Sequence, residues 1–122
     1  MGISERNLAS YLRTARLRAQ RPGPLPGSRR EEAWAAARRA AAFIRERCPS
    51  ARIRAFGSLL YPDSFGPHSD IDLAVEGVEW PEYLRVWSAL DEREPAFRID
   101  LVDVGIVSDG LRTHIEREGV LL

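Results

Sequence analysis

Asp70 and Asp72 stand one residue apart at the head of the run Asp-Ile-Asp-Leu-Ala-Val-Glu-Gly, residues 70–77. Charged side chains normally avoid the interior of a short apolar strand, so two carboxylates there either tolerate a cost or use it. Along a strand, residues two apart project from the same face, about 7 Å apart. One divalent cation can bridge such a pair. Hard cations such as Mg²⁺ prefer oxygen ligands and usually combine one or two carboxylates with phosphate oxygens. The pair is therefore a candidate metal platform for a nucleotide, with Ile71, Leu73 and Val75 turned to the core.

Parity sorts the other acids. Glu76 shares the face of Asp72 but lies about 13 Å along the strand, too far for the same ion, and reads as a solvated strand end. In Arg-Ile-Asp-Leu-Val-Asp-Val, residues 98–104, Asp100 and Asp103 differ by an odd number and cannot share a face of a regular strand. Asp100 sits between Ile99 and Leu101, whereas Asp103 lies near the strand end and Gly105, so Asp100 is the expected functional acid. A third carboxylate on a neighbouring strand can complete a two-metal site or take a proton from an acceptor hydroxyl. Upstream, Gly57-Ser58 ends another apolar run. A glycine after a strand lets backbone approach a ligand, and the following amides with the Ser58 hydroxyl can donate to phosphate.

The elements that must position these residues follow from spacing. Leu8, Tyr11, Leu12 and Ala15 recur at helical intervals, with arginines on the other side. Gln-Arg-Pro-Gly-Pro-Leu-Pro-Gly then reads as a linker, so residues 1–27 form a basic helix and linker ahead of a domain at 28–122. Ser28 and Glu31 have the spacing of a capping box before a helix to Arg47, whose buried stripe would be Trp34, Ala37, Ala41 and Ile44. Residues 52–56 and 70–77 predict two strands. Pro81 opens a helix lined on one side by Trp80, Leu84, Trp87 and Leu90. Residues 97–104 predict a third strand. A last helix spans Ser108 to Glu118, with Leu111 and Ile115 inward and Gly119 as its end signal. The expected fold class is α+β, a small mixed sheet with flanking helices.

Bulk properties exclude several classes. The 122 residues, 44% hydrophobic, suit one domain with a real core. No apolar stretch is long enough to span a membrane, and residues 1–6 do not begin like a secretory signal. The single cysteine, Cys48, lacks partners at metal-ligand spacing and reads as a buried thiol at a helix end, so a cytoplasmic location is expected. Net charge is zero, but residues 1–30 hold seven arginines against one acid while the remainder is acidic. There is no lysine, so any cation acting on a phosphate must be an arginine or a metal.

Taken together, Phe-Gly-Ser, eleven residues, Asp-Ile-Asp-Leu-Ala-Val-Glu-Gly and then Arg-Ile-Asp-Leu-Val-Asp-Val resemble the minimal nucleotidyltransferases, the MNT group of the DNA polymerase beta-like superfamily. The resemblance spans roughly Ala33 to Leu122. It implies the polymerase beta-like nucleotidyltransferase fold and transfer of AMP from ATP to an acceptor hydroxyl, with release of pyrophosphate. Gly57, Ser58 and Ser69 would bind the nucleotide; Asp70, Asp72 and Asp100 would be catalytic and hold two Mg²⁺ ions. It also implies a partner, a HEPN-domain ribonuclease toxin modified on a tyrosine, with the chain as antitoxin in a hetero-oligomer and no nucleic acid required. The added negative charge would repel an RNA backbone. Family members commonly place a basic residue and a glycine soon after Gly-Ser, where this chain has Leu59, Leu60, Tyr61 and Pro62. Arg98, on the strand face of Asp100, is the expected replacement cation. His68 reads as a solvated loop residue, and Tyr61 and Phe65 as loop packing. Two alternatives are a non-catalytic antitoxin, with Val120–Leu122 and the basic first helix as contact surfaces, and a nucleotidyltransferase acting on a small hydroxyl compound.

Overall fold

The computed structural model describes residues 24–25 and 27–122; the expected first helix and most of the linker lie outside the described residues. The first described helix, α1 (Arg29–Arg47), starts where the capping pair places it. Ser28 Oγ accepts from the Glu31 amide at 3.1 Å, while the Glu31 carboxylate accepts from the Gly27 amide at 2.7 Å. The box therefore closes one residue early, because the Ser28 amide already donates to the Leu25 carbonyl. Trp34, Ala37, Ala41 and Ile44 are buried as expected, joined by Ala33, Ala36, Ala40 and Phe43. Five buried alanines on one face let the helix axis come close to the sheet.

Strand β1 (Arg52–Phe56) runs into a short 3₁₀ turn at Gly57–Leu60, and after a loop the chain enters β2 (Ile71–Glu76). Helix α2 (Trp80–Arg93) crosses to β3 (Ile99–Asp103), and a second 3₁₀ turn leads to α3 (Asp109–Glu118) and β4 (Val120–Leu121). The sheet order is β3-β2-β1-β4, with β2 and β3 parallel and the other pairs antiparallel. This is the mixed sheet with flanking helices expected from the sequence. Ile53, Ala55, Ile71, Leu73, Val75, Ile99 and Leu101 face α1 and α2, while Phe56, Ala74, Val102 and Val104 pack against Leu111 and Ile115 of α3. A strand covered on both faces reads as a continuous apolar run, which is why β2 does not alternate.

One expectation is corrected. Trp80 and Leu84 are about half exposed; the inward side of α2 is Tyr83, Val86 and Leu90, with Trp87 half-buried. The helix is rotated because the polar tips of Tyr83 and Trp87 find backbone carbonyls of β3 as acceptors, which an apolar-only stripe does not anticipate. The tail at 120–122 belongs to the sheet. Val120 and Leu121 pair with Ala55 and Arg54, the Leu122 amide donates to the Ile53 carbonyl, and Arg45 donates to the Leu122 carbonyl at 2.9 Å. Cys48 caps α1, and burial pushes its thiol upward in pKa.

His114 is 2% exposed on α3. Burial pulls its imidazole below the ordinary histidine range, with Glu118 pulling the other way. An unfolded chain binds that proton more readily than the folded one, so stability should fall as pH drops through the ordinary histidine range. His114→Leu removes this proton uptake. The melting-temperature advantage of the wild type over the variant is expected to shrink between pH 7.5 and pH 5; a gap independent of pH would contradict this.

Candidate active site

Register on the central strands sets the site. Phe56, Asp72 and Asp100 are cross-strand neighbours on β1, β2 and β3. Adjacent strands lie about 4.8 Å apart, so Asp72 and Asp100 start from neighbouring backbone positions. Both have the parity of Ala74 and Val102, which pack against α3, so their side chains leave the sheet on that face. Asp72 is 7% exposed; Asp70, just before β2, and Asp100 are half-buried. Burial raises the Asp100 pKa, the charge of Asp70 raises it further, and Arg98 opposes both. A carboxylate whose proton affinity a neighbouring acid raises belongs to a donor set that a cation relieves, and the all-oxygen chemistry suits Mg²⁺. Among the described residues, no three His, Cys, Asp or Glu side chains are gathered closely enough to hold an ion by themselves. That fits an ion that takes its remaining ligands from phosphate and water.

Asp103 has a different task. Its carboxylate accepts from the Gly105 amide at 2.9 Å and caps the turn after β3. Arg98 is exposed immediately before β3. Glu76 is exposed and lies 3.7 Å from Arg54, the solvated strand end expected of it.

The Gly57–Leu60 turn follows Phe56, the residue paired with Asp72. Gly57 has φ of 75°, a left-handed conformation that an L side chain would strain. Ser58 is half-buried there. Ser69 Oγ accepts from the Gly66 amide at 2.8 Å and donates to the Ser64 carbonyl at 3.3 Å, closing the loop that delivers Asp70. Phe65 packs against Phe97, and His68 is exposed.

Sequence reasoning missed Arg30. Its guanidinium donates to the Leu59 carbonyl at 2.8 Å and the Leu60 carbonyl at 3.0 Å, pinning the turn to α1. The side chain is buried, and desolvation lowers its pKa. One signal was available: arginine in the first turn of a helix opposes the helix dipole and needs another reason to be there.

Residues 37–122 match the family model described as a nucleotidyltransferase domain. The chain belongs to that family. No curated protein matches the chain. Similar solved structures show the same fold at low identity. A chain of the toxin–antitoxin complex MntA-HepT shares 21% identity at a TM-score of 0.54, over 72% of this chain and 69% of that one. A chain of a toxin–antitoxin complex with AMP-PNP shares 22% at 0.55, over 68% and 69%. A complex of the tri-AMPylated Shewanella oneidensis HEPN toxin with its MNT antitoxin contributes a chain with 22% at 0.54, over 73% and 70%.

Two outcomes follow for this nucleotidyltransferase domain. An acid whose folded pKa is raised is a liability while charged, and stability returns as pH falls through its folded pKa. Asp100→Asn should raise the melting temperature at pH 7, with the gain shrinking towards pH 4; a loss at pH 7 would contradict the stated balance. Arg30→Ala leaves two carbonyls short of a charged donor and should cost about 2–3 kcal/mol in denaturant unfolding. A cost below the error of the measurement would mean that the turn holds itself.

Proposed function

We propose that the chain is a Mg²⁺-dependent adenylyltransferase that moves AMP from ATP to a tyrosine hydroxyl of a HEPN-domain toxin and so acts as its antitoxin, in a hetero-oligomer in the cytoplasm. The observation that carries this reading is the row formed by Asp72 and Asp100 on paired strands, with Asp70 beside it and the glycine turn at the end of β1. Supporting it are the solved complexes of the same fold, one with AMP-PNP and one whose HEPN toxin carries three AMP groups.

On this reading the Gly57–Ser58 turn receives the triphosphate, with Arg30 holding its peptide planes and Arg98 supplying a cation near Asp100. Ser69 keeps the loop before Asp70 in place. Asp70 and Asp72 hold Mg²⁺, and Asp100 completes the acid set, with two ions in the full site. Bound metal neutralises phosphate charge and orients the reacting oxygens. The acceptor oxygen bonds to the α-phosphorus, the bond to the β-phosphate oxygen breaks, and pyrophosphate leaves. Asp100 takes the acceptor's proton, a role that its raised proton affinity suits. Each AMP adds a phosphodiester charge to the toxin, which opposes binding of an RNA backbone.

The test is the intact mass of the protein encoded beside this chain, after incubation with the chain, ATP and Mg²⁺. A gain of one or more AMP units, absent with Asp70→Asn/Asp72→Asn, is expected. A stable complex of the two proteins without any mass gain would replace the enzyme with a binding antitoxin.

A further inference from the structure

Strand β3 is an outer strand of the sheet, so half its backbone groups have no partner strand. The Arg98 carbonyl accepts from the Ile71 amide at 2.9 Å. Backbone groups alternate sides along a strand, so Arg98, Asp100 and Val102 turn theirs towards β2, while Ile99 and Leu101 turn theirs outward. Both outward carbonyls are taken by α2. Tyr83 donates its hydroxyl to the Leu101 carbonyl at 2.5 Å, and Trp87 Nε1 donates to the Ile99 carbonyl at 3.3 Å. The two acceptors lie on either side of Asp100.

The donors are themselves fixed. Tyr83 is 5% exposed, and its ring packs against Trp80 at 5.3 Å and edge-on against Trp87 at 5.6 Å. Burial, with the charges of Asp103 and Asp100, pushes its hydroxyl up to about 12, so it remains a donor at neutral pH. The residue between the two bonds is Asp100, the register partner of Asp72. A strand paired on one side only can twist outward and swing the Asp100 side chain away. Bonds at both flanking carbonyls oppose the twist.

We infer that Tyr83 and Trp87 are positioning residues for the transfer reaction: their grip on the carbonyls of Ile99 and Leu101 keeps the Asp100 carboxylate in one orientation towards Asp72 and Asp70. The inference rests on the reading of Asp100 as a functional acid. It also assigns a reason for the rotation of α2 that leaves Trp80 and Leu84 outside.

The test compares the full chain with Tyr83→Phe, Trp87→Phe and their double variant, using Val86→Ala as a control that loosens α2 without touching either bond. Three-bond NMR couplings report the Asp100 side-chain rotamer without metal, and electron paramagnetic resonance reports binding of Mn²⁺ with AMP-PNP present. One rotamer is expected in the wild type and in Val86→Ala, with averaging in the double variant. Mn²⁺ affinity should drop about tenfold in the double variant and stay unchanged in Val86→Ala. A merely structural role would lower the melting temperature of both and leave the Asp100 couplings alone; couplings in the double variant equal to wild type overturn the inference. If the double variant does not fold, Tyr83→Phe, which removes one oxygen, carries the same comparison. If wild type binds no Mn²⁺ even with AMP-PNP present, the functional reading of the acids fails, and the couplings still decide the clamp.

Discussion

Parallel pairing of β2 with β3 is the constraint on which the candidate site depends. It sets Asp72 opposite Asp100 and leaves Asp70 close enough to raise the proton affinity of Asp100. Folding alone does not favour such a row, because carboxylates gathered at a partly buried sheet face repel one another and lose water. The rest of the molecule works against that repulsion. Apolar side chains of β2 pack against helices on both faces of the sheet, which fixes the central strand before the acids are considered.

The backbone around the acids is held by side chains from distant parts of the chain. Arg30 reaches from the first turn of α1 to the carbonyls of the glycine turn, and Tyr83 and Trp87 reach from α2 to the outer edge of β3. A further link, between Arg39 and the buried Glu94 at 2.7 and 2.8 Å, ties α1 to the end of α2. The two helices thus serve as one support for both sides of the site. This division suits a small sheet with few strands, in which loops and edges have little else to brace them. It also shows how a chain without lysine, and with no cation between Ser58 and Asp70, still brings an arginine to the glycine turn.

Much of the fold was legible because its signals are local. Ser28 and Pro81 mark helix starts, and the alanine stripe of α1 has helical spacing; Asp70, read as the first residue of a strand, instead lies just before β2. The preference for Asp100 over Asp103 also came from parity and neighbours, and the register with Asp72 together with the capping bond of Asp103 gives that preference a geometry. What escaped depends on contacts between distant segments. Arg30 meets carbonyls about thirty residues away, and the rotation of α2 is set by acceptors on a strand that follows it. The two-residue strand β4 carries too little pattern to be read at all, and it exists because β1 offers it an open edge.

The most direct measurement on the acid row is a crystal structure of the full chain with AMP-PNP and Mn²⁺, using anomalous scattering to locate the metal. Expected is a metal peak bound by Asp70 and Asp72, with the triphosphate against the Gly57–Ser58 turn and the Asp100 carboxylate facing the α-phosphate. Metal and nucleotide bound elsewhere on the fold, or no anomalous peak at these acids when nucleotide is bound, would contradict the assignment of this row as the catalytic centre.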